Sequence, residues 1–126
     1  IHMRKYLLHV LIISFVFLLA PTAQVATYAG EIEDAKEEVR KNPDDADAHF
    51  NLGYAYGDLG KHKKAIESYK QAIRFDPDYA MAHYNLGVCY IDNRDKSSAL
   101  KQHNILKKLD TKRAKKLLGM IYTELD

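Results

Sequence analysis

Histidines are the residues most able to do chemistry in this chain. His49 and His83 stand 34 residues apart, with His62 and His103 near them in sequence. Imidazoles in that number could ligate a zinc ion or a haem iron. Their spacing favours a plainer role. On adjacent helices two such rings stand ~8–10 Å apart, too far to share a zinc at ~2 Å unless the side chains converge. The carboxylate pair Asp44-Asp45 falls at a helix start, where capping accounts for it. There is no glycine-rich phosphate loop, nucleophile elbow, HExxH or CxxC. The expectation is therefore a chain with no catalytic residue, no metal site and no cofactor, with histidine ligation of metal or haem as the remote alternative.

What positions the histidines is an internal repeat. Ala46 to Tyr79, shifted by 34 residues, lies over Ala80 to Arg113 with ten identities, eight of them in the opening pattern AxAHxNLGxxYxD. A period in the 20–50 range marks a stacked solenoid, in which no unit buries its apolar face alone. Helices are expected at about 46–59, 62–75, 80–93, 96–109 and 112–125, preceded by one at 31–42. Gly60 stops the first of the repeated helices, and Asp78 and Asp95 are expected to cap their successors. In the last helix Leu118-Gly119 and Tyr122 begin the signature again, two residues earlier than strict spacing requires. The lone Cys89 matches Ala55 of the preceding unit and reads as a small buried residue between helices; intermolecular disulfide formation is the other role open to it.

The residues Asn51-Leu52-Gly53, Tyr56, Gly60, Ala65, Tyr69, Ala72, Asp76 and Pro77, with Asn85-Leu86-Gly87, Tyr90, Ala99 and Asp110 in the second unit, resemble the tetratricopeptide repeat. The resemblance implies an all-α, right-handed solenoid of helical hairpins. Arg94, His103, Leu106 and Thr111 depart from it, standing where the family has glycine, an aromatic, alanine and proline. It implies a domain over 30–126: an orphan second helix at 31–42, repeats at 46–79 and 80–111, and an unpaired first helix at 112–125. It also implies that the first helices line a concave groove. That places Phe50, Asn51 and Tyr54 in the groove, continued by Met81, Tyr84, Asn85, Val88 and Ile91, then by Lys116 and Met120. Periodicity agrees in part, since Leu52, Tyr56 and Leu59 form one stripe of their helix and Phe50 and Tyr54 another. Family members with a carboxylate clamp hold peptide tails with lysine and asparagine. Here Phe50 and Tyr54 occupy those slots in the first unit, although Asn85 and Arg113 sit where a clamp would have an asparagine and a cation, so clamp-type tail binding is not expected. An apolar or amphipathic helix, such as residues 6–20 of this chain or another copy, is the favoured occupant.

Residues 1–29 have a different character. Ile1 and His2 precede Met3, which reads as the natural start, followed by Arg4-Lys5 and an apolar run from Tyr6 to Ala20. Thr27-Tyr28-Ala29 before Gly30 suits a signal peptidase. Two readings stand open: a cleavable bacterial export signal, giving a periplasmic or secreted protein, or an uncleaved inner-membrane anchor associated through residues 6–20. This run, 15 residues interrupted only by His9 and Ser14, falls short of the ~20 a membrane-spanning helix needs, which favours the signal.

Charge is segregated along the remainder. Residues 31–47 carry eight acidic and three basic groups, whereas 96–116 carry eight basic and one acidic. Nucleic-acid binding is not expected, because the basic cluster lacks interleaved aromatics. The sequence points to a non-catalytic scaffold or adaptor that binds a protein or peptide partner in an aromatic groove. The alternative is a homo-oligomer formed head to tail, acidic end to basic end.

Overall fold

A computed structural model describes the backbone of residues 2–126, and the side chains of residues 3–5, 7 and 22–126. The expected signal or anchor run, Tyr6 to Ala20, lies outside the described side chains apart from Leu7. Among the described residues no helix is long and apolar enough to cross a membrane.

Six helices and no strand make up the described chain: α1 (His2–Lys41), α2 (Ala46–Asp58), α3 (His62–Phe75), α4 (Ala80–Asp92), α5 (Lys96–Leu109) and α6 (Thr111–Glu124). The helix expected at 31–42 is the end of a longer one; α1 continues without a break through Pro21 and Gly30. Each helix packs on the next, and α4 also meets both α2 and α6. The first-type helices α2, α4 and α6 thus form an inner layer, with α1, α3 and α5 outside it. This is the all-α solenoid of helical hairpins that the repeat implies.

Local chemistry explains the boundaries. Asp45 caps α2 by accepting the Asp47 amide at 3.0 Å, and Asp95 caps α5 by accepting the Ser98 amide at 3.0 Å. Asp78 does not cap α4 as expected. Its own amide is held by the Asp76 carboxylate at 3.1 Å, and α4 starts from Tyr79 without a side-chain cap. Gly60 ends the first hairpin turn at φ +67°, the left-handed conformation glycine adopts most readily. Arg94, one period later, takes φ +58°, a strained value for a side chain of its size. Its guanidinium donates to the Glu124 carbonyl at 3.0 Å, joining that turn to the end of α6.

The early arrival of the last helix has a simple origin. Four residues, Asp76 to Tyr79, join α3 to α4, whereas Asp110 alone joins α5 to α6. Shortening the corner advances α6 and moves its register from 34 to 32 residues.

The core falls into two clusters. Ile32, Phe50, Tyr56, Ile66, Tyr69 and Leu86 dominate the first, around α2 and α3. Ile91, Leu106, Leu117 and Ile121 dominate the second, around α5 and α6. Leu106, Leu117 and Ile121 are fully buried, each contributing about 1.5–3 kcal/mol of burial.

Candidate functional site

The concave face of α2, α4 and α6 encloses a cavity of about 440 Å³, lined by Phe50, Tyr54, Met81, Tyr84, Asn85, Lys112, Arg113 and Lys116. Six of these were expected there from the sequence. Tyr54 is 54% exposed and Met81 42%, so α2 and α4 each present a large apolar surface to solvent. Tyr84 is half-buried, and its hydroxyl donates to Met120 Sδ at 3.5 Å, which places Met120 beneath the groove wall. Asn85 donates from Nδ2 to the Tyr69 hydroxyl at 3.3 Å. That bond fixes the amide and leaves its oxygen for a ligand.

Several expected site residues have other work. Phe50 is buried, its ring stacked on Tyr79 at 5.1 Å and tilted against Tyr69 at 5.6 Å. It forms the floor of the groove and not an exposed working face. Ile91 is 4% exposed and belongs to the second core cluster. It lies one helical turn after Gly87, on the face that turns inward. Asn51 is exposed but does not line the cavity. Val88 is half-buried and lines a separate hollow of about 160 Å³ with Tyr54, Asn85 and Cys89.

The basic wall was only partly anticipated. Lys112 stands four residues before Lys116, hence on the same face of α6, and that spacing was the available signal for it. Arg113 pairs with Asp110. The Arg113 backbone amide and side chain hold the Asp110 carboxyl below the usual carboxylate range. Lys116 Nζ lies 5.6 Å from the Tyr84 ring centroid, a cation–π distance. Among the described residues no ion pair neutralises Lys112 or Lys116. The groove is therefore apolar on α2 and α4 and cationic on α6. A hollow of about 570 Å³ on the outer surface, lined by Asp78, Asn104, Ile105, Lys107, Lys108 and Leu109, is larger but has no aromatic side chain in its wall.

His49, His83 and His103 serve packing, while His62 Nδ1 lies 3.6 Å from the Asp92 carboxylate. His49 Nε2 donates to the Pro43 carbonyl at 2.7 Å, and its ring stacks on Phe75 at 5.3 Å. His83 Nε2 donates to the Pro77 carbonyl at 2.8 Å, while Nδ1 lies 2.7 Å from the Gln102 amide oxygen. The 34-residue recurrence thus marks one device used twice, an imidazole tying its helix to the proline corner before it. His103 Nδ1 lies 2.9 Å from the Ala114 carbonyl, linking α5 to α6. Among the described residues no three His, Cys, Asp or Glu side chains gather to hold a metal ion. Cys89 is buried and free, and burial, with Asp92 nearby, pushes its thiol up to about 11. So protonated a thiol is a poor nucleophile at neutral pH.

Comparison with known proteins agrees with this architecture. A family model described as "TPR repeat" matches residues 54–93, and one described as "Tetratricopeptide repeat" matches residues 30–67. No curated protein sequence matches the chain. Among solved structures, the "TPR2B-domain:pHsp70-complex of yeast Sti1" is similar at a TM-score of 0.70 and 20% identity, covering 79% of this chain and 83% of that one. Repeat period, corner chemistry, helix order and these matches converge on helical hairpins of tetratricopeptide-repeat type, with residues 30–93 matched by models of that repeat.

Proposed function

We propose that this protein is a non-catalytic interaction module that holds a segment of a partner protein in the groove of α2, α4 and α6. One observation carries the reading: exposed Tyr54 and Met81 face unpaired Lys112 and Lys116 across a single cavity of about 440 Å³. A surface with no binding role gains nothing by exposing aromatic and thioether groups in a concavity, and such anchors are the usual makings of a hot spot. The cations sharpen the choice of ligand. An apolar helix alone would leave Lys112 and Lys116 unmatched, whereas a peptide with an apolar side chain and a nearby carboxylate satisfies both walls. The structurally similar domain named above was solved as a complex with pHsp70, which supports peptide capture on this fold. The basic Arg4-Lys5 pair and the apolar run after it favour action outside the bacterial cytoplasm or at its inner membrane.

The test uses fluorescent peptides bearing a leucine or phenylalanine next to a free C-terminal carboxylate, read by anisotropy. Tyr54→Ala with Tyr84→Ala is expected to weaken binding at least about tenfold, the scale of a hot-spot loss, with helical circular dichroism unchanged. Amidation of the peptide carboxylate is expected to weaken it too. Binding equal in wild type and the double variant overturns the proposal.

A further inference from the structure

The acids that end α2 and α4 have no folding reason to stand where they do. Asp58 and Asp92 are the last residues of their helices, and both are exposed. A carboxylate there opposes the helix dipole, whose negative end favours a cation. Neither helix carries a basic residue in its last turn. Among the described residues no lysine or arginine pairs with either acid. His62 comes nearest, with Nδ1 3.6 Å from Asp92 Oδ2, too far for a hydrogen bond. That nitrogen is buried and has no hydrogen-bond partner.

These groups meet around the hollow of about 160 Å³ that adjoins the groove. Asp58, His62 and Asp92 line it together with Val88, Tyr54 and Asn85. Tyr54 and Asn85 also line the groove, so the hollow continues the groove toward the C-terminal ends of α2 and α4. The lysines beside His62 in sequence, Lys61, Lys63 and Lys64, border a different hollow and none lines this one. The concave surface is thus graded in charge. Lys112 and Lys116 stand in the first two turns of α6, toward its positive dipole end. Asp58 and Asp92 stand at the negative ends of α2 and α4, so side chains and helix dipoles reinforce one another.

We propose that this hollow takes a lysine or arginine side chain of the captured segment, three or four residues before the carboxylate that meets Lys112 and Lys116. The inference rests on the peptide capture proposed above and gives the ligand a second anchor of opposite charge. Tyr84, which lies under Lys116, and Asp92 are separated on α4 by a rise of about 12 Å. An extended chain covers about 3.3–3.6 Å per residue, so three or four residues span that distance. The aliphatic stem lies against Val88 and Tyr54. Its charged tip meets two carboxylates and, in the tautomer protonated at Nε2, the unbonded His62 nitrogen, all of them acceptors. An acidic or apolar side chain in that place leaves Asp58 and Asp92 unmatched.

Anisotropy with the full-length protein compares three fluorescent peptides: lysine, norleucine or glutamate followed by Ser-Ser-Leu and a free C-terminal carboxylate. At about 20 mM salt the lysine peptide is expected to bind about fivefold tighter than the norleucine peptide, the scale of a good exposed charge pair. The glutamate peptide is expected to bind more weakly than both, and the differences to shrink at about 500 mM salt. Asp58→Asn with Asp92→Asn is expected to erase the preference, so that the lysine and norleucine peptides bind alike. Removing carboxylates from helix C-termini does not threaten the fold, which circular dichroism checks. Asp58→Lys with Asp92→Lys is expected to favour the glutamate peptide instead. Three peptides that bind wild type alike, or a lysine preference that survives the asparagine variant, overturn this inference and leave groove capture standing. Binding by none of the three, or binding that Tyr54→Ala with Tyr84→Ala does not weaken, overturns both.

Discussion

The two repeats differ most where one expects them to agree, at the small residue between helices. In the first, Gly53 lets the Tyr69 ring lie against α2, so the hairpin is closed by its own aromatic. In the second, Gly87 is filled by Leu117 from the following helix. His103 stands where Tyr69 would be and reaches forward to the Ala114 carbonyl. At this contact the first unit closes on its own ring, whereas the second borrows its closure from α6. A repeat that drifts from its family pattern thus keeps its packing by leaning on its neighbour, as nearest-neighbour stability in solenoids allows.

The largest test of this contrast removes the two corresponding side chains. Tyr69→Ala is expected to cost about 3–5 kcal/mol, as for other buried aromatics, and His103→Ala only about 1–2 kcal/mol, the scale of one lost hydrogen bond. Urea unfolding followed by circular dichroism measures both, and equal losses would mean that the two units are closed alike. A smaller effect separates the glycines. Gly53→Ala drives a methyl into a rigid ring and is expected to cost about 1–3 kcal/mol. Gly87→Ala drives its methyl against the fully buried Leu117, whose methyls stand at 2.6 and 3.0 Å and Cγ at 3.3 Å, and should cost a similar amount. Gly119→Ala meets nothing and should stabilise the monomer by about 0.5–1 kcal/mol. Thermal melts of the three variants rank them. The smallest change belongs to Arg94→Gly. It relieves the positive φ, worth about 1 kcal/mol, and gives up the bond to the Glu124 carbonyl, so a shift within about 1 kcal/mol either way is expected. A loss beyond that would show that α6 depends on Arg94 more than its exposed position suggests.

Much of this is legible in the sequence. Period, helix bounds and corner residues follow from glycine, proline and aromatic spacing, because those residues act locally. The groove was legible as a face but not as a depth. Phe50 and Tyr54 share a stripe, yet the first is a floor and the second a rim, and only the approach of Tyr69 and Tyr79 decides which. Ile91 was misplaced for the same reason, since its burial depends on α5 and α6, far along the chain. Lys112 was overlooked because it lies one turn before the first groove position of α6, where both earlier units carry alanine, Ala46 and Ala80.

That corner also governs how the molecule can give way. With a single residue between α5 and α6, and its carboxylate held by both the amide and the guanidinium of Arg113, the two helices must travel as one piece. The four-residue joint from Asp76 to Tyr79 has more torsional freedom, though His83 and Asp47 hold Pro77 and Tyr79 within it. Slack is thus unevenly shared. A bulky ligand that spreads the groove would swing α5 and α6 together, a basic jaw moving against the fixed aromatic edge of Tyr54.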